Sequence, residues 1–172
     1  MEKAKIYVVD VNSLLFRAYY ATAGYGDETS IMKTSAGIPT NAIFAFGNML
    51  SKILSSFQGG ESLFVGFDAD SKTFRKQESA AYKANRKPAP EYLVKQFPIS
   101  RELLDALNIV HLEVPGIEAD DLCGTVAKMA SKAGYQVEVF TSDKDYLQLI
   151  DENISINLLK RGLSDMERMD PV

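Results

Sequence analysis

Seven carboxylates in this chain stand just past the ends of apolar runs. Asp10 follows Lys5-Ile6-Tyr7-Val8-Val9, and Asp68 follows Leu63-Phe64-Val65-Gly66-Phe67. Glu118, Asp120 and Asp121 lie past Ile109–Val114 and a Pro115-Gly116 turn, and Asp143 and Asp145 past Val137–Thr141. A lone acid in such a place is usually a helix cap or a partner of the helix dipole. Capping does not readily account for four successive runs that all lead into acids. Two carboxylates about 5 Å apart repel by roughly 3 kcal/mol at an effective dielectric of about 20. Seven in one cleft therefore require a divalent cation. Oxygen ligands without nearby His or Cys select Mg²⁺ or Mn²⁺ over zinc, and His111, inside a strand pattern, reads as structural. Two such ions side by side would activate water and stabilise the leaving oxygen in phosphodiester cleavage.

That reaction's substrate needs a basic surface. The formal charge of the 172 residues is −4, but it is unevenly spread. From Lys72 to Lys87 six basic residues (Lys72, Arg75, Lys76, Lys83, Arg86, Lys87) face one acid, Glu78, so the segment carries +5 and the remainder −9. Such a strip suits a phosphate backbone, and its aromatics Phe74 and Tyr82 suit the stacking of unpaired bases.

The elements that must position these groups alternate. The first strand, Lys5 to Asp10, precedes a helix that Asn12 or Ser13 can cap, with Leu14, Leu15, Arg17 and Tyr19 on it. A loop over 23–39 leads to a helix from Thr40, closed by Gly59-Gly60. A second strand ends at Asp68, and the basic segment runs to Pro88 and Pro90. A helix over 91–107, bent at Pro98, precedes the third strand. The next helix repeats Leu122, Val126, Met129, Ala130 and Ala133 at helical spacing and ends at Gly134. A fourth strand, a short helix from Tyr146 and a fifth strand, Ile154 to Leu159, complete the pattern. Alternation predicts an α/β fold of three layers with a mainly parallel central sheet, which binds ligands at the carboxyl ends of its strands.

At 46% hydrophobic the chain can bury one core, so residues 1–172 are expected to form one domain. The single cysteine, Cys123, leaves no internal disulfide partner and fits a cytoplasmic location. No 18-residue apolar span and no signal pattern points to a membrane.

Asp10 with Asn12-Ser13 and Arg17-Ala18-Tyr19 resembles the opening motif of the 5′-3′ exonuclease and flap-endonuclease family found in bacterial DNA polymerase I. So do Gly37-Ile38-Pro39-Thr40-Asn41-Ala42, Phe67-Asp68, Lys72-Thr73-Phe74-Arg75, Tyr82-Lys83 with Arg86, Gly116–Asp121, and Thr141–Asp145 with Gln148-Leu149. The motifs run in order over residues 5–159. The resemblance implies a PIN-like 5′-nuclease fold with a basic helical arch at about 70–92. It implies Asp10, Asp68, Glu118, Asp120, Asp143 and Asp145 as catalytic metal ligands, with Asp121 outer or water-bridged. It further implies that Arg17, Lys72, Arg75, Tyr82, Lys83 and Arg86 contact DNA with 5′ ends or flaps, and that a polymerase domain can accompany the nuclease. Glu118 is expected before the first full turn of its helix, because residues two apart diverge on a regular one.

Two departures matter. Val11 stands where the family usually has glycine. The chain also stops at Val172, before the helix-hairpin-helix-like region that supplies further aspartates to the second ion. One Mg²⁺ or Mn²⁺ is therefore expected to be held firmly and a second loosely, with slow cleavage. The competing reading is a non-catalytic, metal-bound module for branched or single-stranded nucleic acid.

Overall fold

A computed structural model describes residues 4–23, 30–69, 88–161 and 165–171. The basic segment from Lys72 to Lys87 therefore lies outside the described residues, and with it Phe74, Arg75, Tyr82, Lys83 and Arg86. Six strands form one sheet in the order β3-β2-β1-β4-β5-β6. They are β1 (Lys5–Asp10), β2 (Ser62–Phe67), β3 (Val110–Glu113), β4 (Gln136–Thr141), β5 (Ile154–Arg161) and β6 (Asp165–Met169). The first five pair in parallel, and β6 alone runs antiparallel, against β5. The sequence reading missed β6, because its Asp-Met-Glu-Arg-Met run carries no apolar stretch. Its two methionines, Met166 and Met169, still pack against the two cores, and Arg168 bridges to the buried Glu138 on β4 at 2.8 Å and to Asp170 at 2.7 Å.

The helices are α1 (Val11–Thr22), α2 (Asn41–Ser55), α3 (Glu91–Val94), α4 (Gln96–Ala106) and α5 (Ala119–Lys132), with a 3₁₀ helix over Lys144–Leu149. Tyr7, Val9 and Val65 point to the core shared with α1, α2 and α4, whereas Val8, Val139 and Ile156 point to that shared with α5. The layers are thus helix, sheet, helix, as the alternation required.

Several local expectations are corrected. The helical stretch over 91–107 breaks at Lys95, upstream of Pro98. Proline has no N–H for the carbonyl four residues earlier, so the interruption falls before it. Thr40 stands at the N-cap of α2 but gives its hydroxyl to Met32 O. The fully buried Gln96 does the capping. Its Oε1 accepts the Ala42 and Ile43 amides at 2.8 and 3.0 Å, while its Nε2 donates to Asn41 and to Tyr92 O.

The buried face of α5 is also rotated from the one its apolar spacing suggested. Ala119, Cys123, Ala127 and Ala130 face the sheet, and Met129 is 66% exposed. Small residues allow a close approach, and Gly66 completes it: a Cβ there would lie 2.5 Å from Cys123 Sγ. Gly66→Ala is expected to cost about 1–3 kcal/mol through overpacking. A thermal melt that drops by several degrees, about 2–4 °C per kcal/mol at this size, will show it. An unchanged melt would mean α5 moves away freely.

Candidate metal centre

Strand order reverses between β1 and β4, so the chain departs in opposite directions from a crevice at their carboxyl ends. Such switch points are where α/β sheets bind ligands. A cleft of about 600 Å³ opens there, lined by Asp10, Asp68, Glu118, Asp120, Asp143 and Asp145 together with Asn12, Ser13, Phe16, Arg17, Tyr20 and Ser142. Four lengths of chain, distant in sequence, thus bring six of the seven expected carboxylates to one place. Asp121 faces a neighbouring cavity of about 700 Å³ beside Lys128, which Asp120 and Asp145 border as well. Of the expected nucleic-acid contacts, Arg17 lines the carboxylate cleft.

Four of the acids are oriented by specific donors. Asp10, and not Asn12 or Ser13, caps α1: its Oδ1 accepts the Ser13 amide at 3.1 Å. Asp68 is gripped from two sides. Asn12 Nδ2 donates to its Oδ2 at 3.0 Å while Asn12 Oδ1 accepts the Asp68 amide, and the Ala119 amide, at the start of α5, donates to Oδ1 at 2.6 Å. Asp143 caps the 3₁₀ helix by accepting from the Asp145 amide at 2.9 Å. Asp120 Oδ1 accepts the Asp121 amide at 2.7 Å. Glu118, only 3% exposed, occupies the N-cap position of α5 in extended backbone, before the first turn as expected.

A hydroxyl relay ties the two sides of the crevice. Ser13 Oγ accepts the Ser142 amide at 2.7 Å, and Ser142 Oγ donates to Ser13 O at 3.1 Å. Thr141 Oγ1 accepts the Asp143 amide at 3.0 Å and reaches Asp10 Oδ2 at 3.4 Å. With both of those protons committed, the Ser13 proton goes to Thr141 Oγ1 or Ser142 Oγ. Asp10 and Asp143 are thereby held in register through neutral groups. Sequence reasoning passed over Asn12, Ser13 and Thr141 as holders of carboxylates. Their signal was weak, because short polar residues beside strand ends usually serve turns.

Burial dominates the electrostatics of Asp10, which is 4% exposed. Desolvation pushes its carboxyl up to about 7; the Ser13 amide opposes this, and the charges of Asp68 and Asp120 add to it. Beneath it, burial pushes the Cys123 thiol and the Tyr146 phenol up, so both stay protonated.

The donor set suits a hard divalent cation: no histidine or cysteine is among the cleft-lining residues, and every candidate ligand is oxygen. Among the described residues, however, no three such side chains close on one point at ligating distance. Asp10, Asp68, Asp120 and Asp143 are turned instead toward the amide donors described above.

Val11 clarifies the departure from the family pattern. Its side chain is fully buried in the core on the α1 side and does not line the cleft.

The helix, sheet, helix layering with its switch-point cleft is that of a PIN-like α/β domain. The chain belongs to the 5′-3′ exonuclease family as its N-terminal, resolvase-like domain, the model of which matches residues 5–171. It is 39% identical over 171 residues to DNA polymerase I of Streptococcus pneumoniae (strain ATCC BAA-255 / R6), covering 99% of this chain and 19% of that protein. It is 40% identical over 154 residues to the thermostable DNA polymerase I of Thermus thermophilus, covering 90% of this chain and 17% of that one. The chain thus spans about a fifth of the length of these relatives. Among solved structures, the bacteriophage T5 D15 protein co-crystallised with metal ions superposes with a TM-score of 0.59 at 19% identity, over 90% of this chain and 55% of that one. Flap endonuclease-1 from Methanococcus jannaschii gives 0.59 at 16% identity, over 96% and 56%. At such identities these two matches establish the fold.

Proposed function

We propose that this chain is the catalytic part of a divalent-metal-dependent 5′-3′ exonuclease and 5′-flap endonuclease that hydrolyses DNA phosphodiester bonds. The observation that carries it is the gathering of six carboxylates from four separate strand ends into one cleft. Membership of the 5′-3′ exonuclease family supports it, as does the T5 relative solved with metal ions. Asp10, Asp68, Glu118, Asp120, Asp143 and Asp145 would hold Mg²⁺ or Mn²⁺, with Asp121 outside the first circle of ligands. Once bound, the ions supply Lewis-acid activation of water and neutralise charge on the leaving oxygen. The chain itself aligns the strand. Arg17 takes a phosphate at the cleft wall, and Lys72, Phe74, Arg75, Tyr82, Lys83 and Arg86 track the 5′ strand as it enters.

No helix among the described residues is long and apolar enough to cross a membrane. We place the protein in the cytoplasm, with a polymerase domain as the natural companion in a longer chain, on the strength of the polymerase relatives.

The test is cleavage of a 5′-flap substrate with Mn²⁺ and with EDTA. The 172-residue chain should be compared with a version extended to the length of the family's nuclease unit. Metal-dependent cleavage is expected, slow for the shorter chain and faster for the extended one. If neither cuts while both bind the flap, the protein is a binding module.

A further inference from the structure

The cleft wall carries one feature that metal binding does not use. Tyr20, on the last turn of α1, lines the cleft and is 62% exposed. Single exposed apolar residues are common on protein surfaces. This one borders a group of carboxylates, where a polar residue would be better solvated. It is also oriented. Tyr19 beside it is buried at 4% exposure, and the two rings meet edge-on, with centroids 5.6 Å apart and planes at 83°. The other aromatic of the cleft, Phe16, is partly buried and leans on Phe97 at 6.2 Å. Tyr20 therefore offers more ring surface to the cleft than Phe16.

Arg17 stands three residues earlier on the same helix and lines the same cleft. Residues three apart on a helix are surface neighbours, roughly 5–6 Å between Cβ atoms. A guanidinium and an exposed ring at that spacing match the two recognisable parts of one nucleotide, its phosphate and its base. An aromatic face accepts any base, since every base has a π-face.

We propose that Tyr20 is a stacking platform for an unpaired nucleobase of the strand that enters the cleft, with Arg17 on the phosphate of that nucleotide. This rests on the reading of the cleft as a nucleic-acid site and adds a contact to it. The strand would then be gripped next to the carboxylates, independently of the basic segment, and without a strong preference for the base held.

The experiment is fluorescence anisotropy of a 5′-phosphorylated single-stranded oligonucleotide, with Ca²⁺ in place of Mg²⁺, on the intact chain. Tyr20→Phe should bind as the unchanged protein does. Tyr20→Ala should bind about tenfold more weakly. Moving an abasic site through the first nucleotides should reveal one position at which the unchanged protein loses the same factor and Tyr20→Ala loses nothing further. Equal binding by Tyr20→Ala and the unchanged protein would overturn the proposal. So would a loss that persists undiminished at every abasic position, since the ring would then act through the fold. If the unchanged protein does not bind the oligonucleotide at all, the nucleic-acid reading of the cleft fails, and this contact with it.

Discussion

Above pH 7, Mg²⁺ or Mn²⁺ at about 100 times its dissociation constant is expected to raise the melting temperature by roughly 5–10 °C over EDTA; near pH 5 the rise should largely vanish. The argument starts from Asp10, whose carboxyl is raised from an ordinary 3.8 to about 7, chiefly by burial. A raised carboxyl holds its proton in the fold while the unfolded chain has already lost it. The contribution of Asp10 to the stability of the ion-free protein is therefore most favourable below about 4, falls as pH rises between the two values, and reaches the full cost of a buried charge above 7. That cost has an upper bound of about 4 kcal/mol. A divalent cation favours the ionised form, so its benefit is greatest where the cost is greatest.

Asp10→Asn sharpens the test. Asparagine also caps helices well, so the Ser13 amide keeps its acceptor. The variant should melt higher than the unchanged protein in EDTA at pH 8, and it should lose most of its response to the ion. Binding stability would have been traded for folding stability. If melting is the same with and without the ion at pH 8, the metal centre is wrong.

The second large effect is expected at Asp68. Asp68→Asn should reduce metal-dependent flap cleavage by about a hundredfold or more in a cleavage-competent chain, since it removes the charge that a hard cation requires. Asn12→Ala leaves that charge in place but frees the carboxylate from one of its two restraints. Loss of such supporting contacts typically costs about 10–100-fold in metal affinity or activity. Asn12→Ala should therefore cleave more slowly than the unchanged protein yet faster than Asp68→Asn, with part of its deficit recovered at high Mn²⁺. Single-turnover rates across a Mn²⁺ titration separate the two variants. An Asp68→Asn protein that cuts normally would remove Asp68 from the centre, and an Asn12→Ala protein unaffected at every concentration would make Asn12 a bystander.

Much of this was legible in one dimension. Apolar runs that end in acids announce parallel strands with a polar carboxyl edge, because the strand period and the flanking turns are local properties. Asp10, Asp68, Asp143 and Asp145 could be placed in a common cleft on that basis alone, since parallel strands must all end on the same side. Glu118 could be put ahead of its helix by spacing. The charge division between the segment at 72–87 and the rest was equally plain.

What the chain order could not reveal depends on residues far apart meeting. The seating of α5 followed its small face, not its apolar stripe, because Gly66 on a neighbouring strand lets Cys123 approach the sheet. The cap of α2 came from Gln96, more than fifty residues away. Strand β6 had no continuous apolar signal, since Met166 and Met169 are separated by charged residues and Arg168 reaches a buried charge on β4. The direction of the Asp68 carboxylate was likewise decided in three dimensions. Asp68 bends toward Asn12 and Ala119 because both amide donors arrive there only after α1 and α5 have packed on opposite faces of the sheet. Residue type and spacing determined which groups enter the cleft and which neighbouring amides hold Asp10, Asp120 and Asp143; the hydrogen bonds that packing makes available decided how Asp68 is aimed.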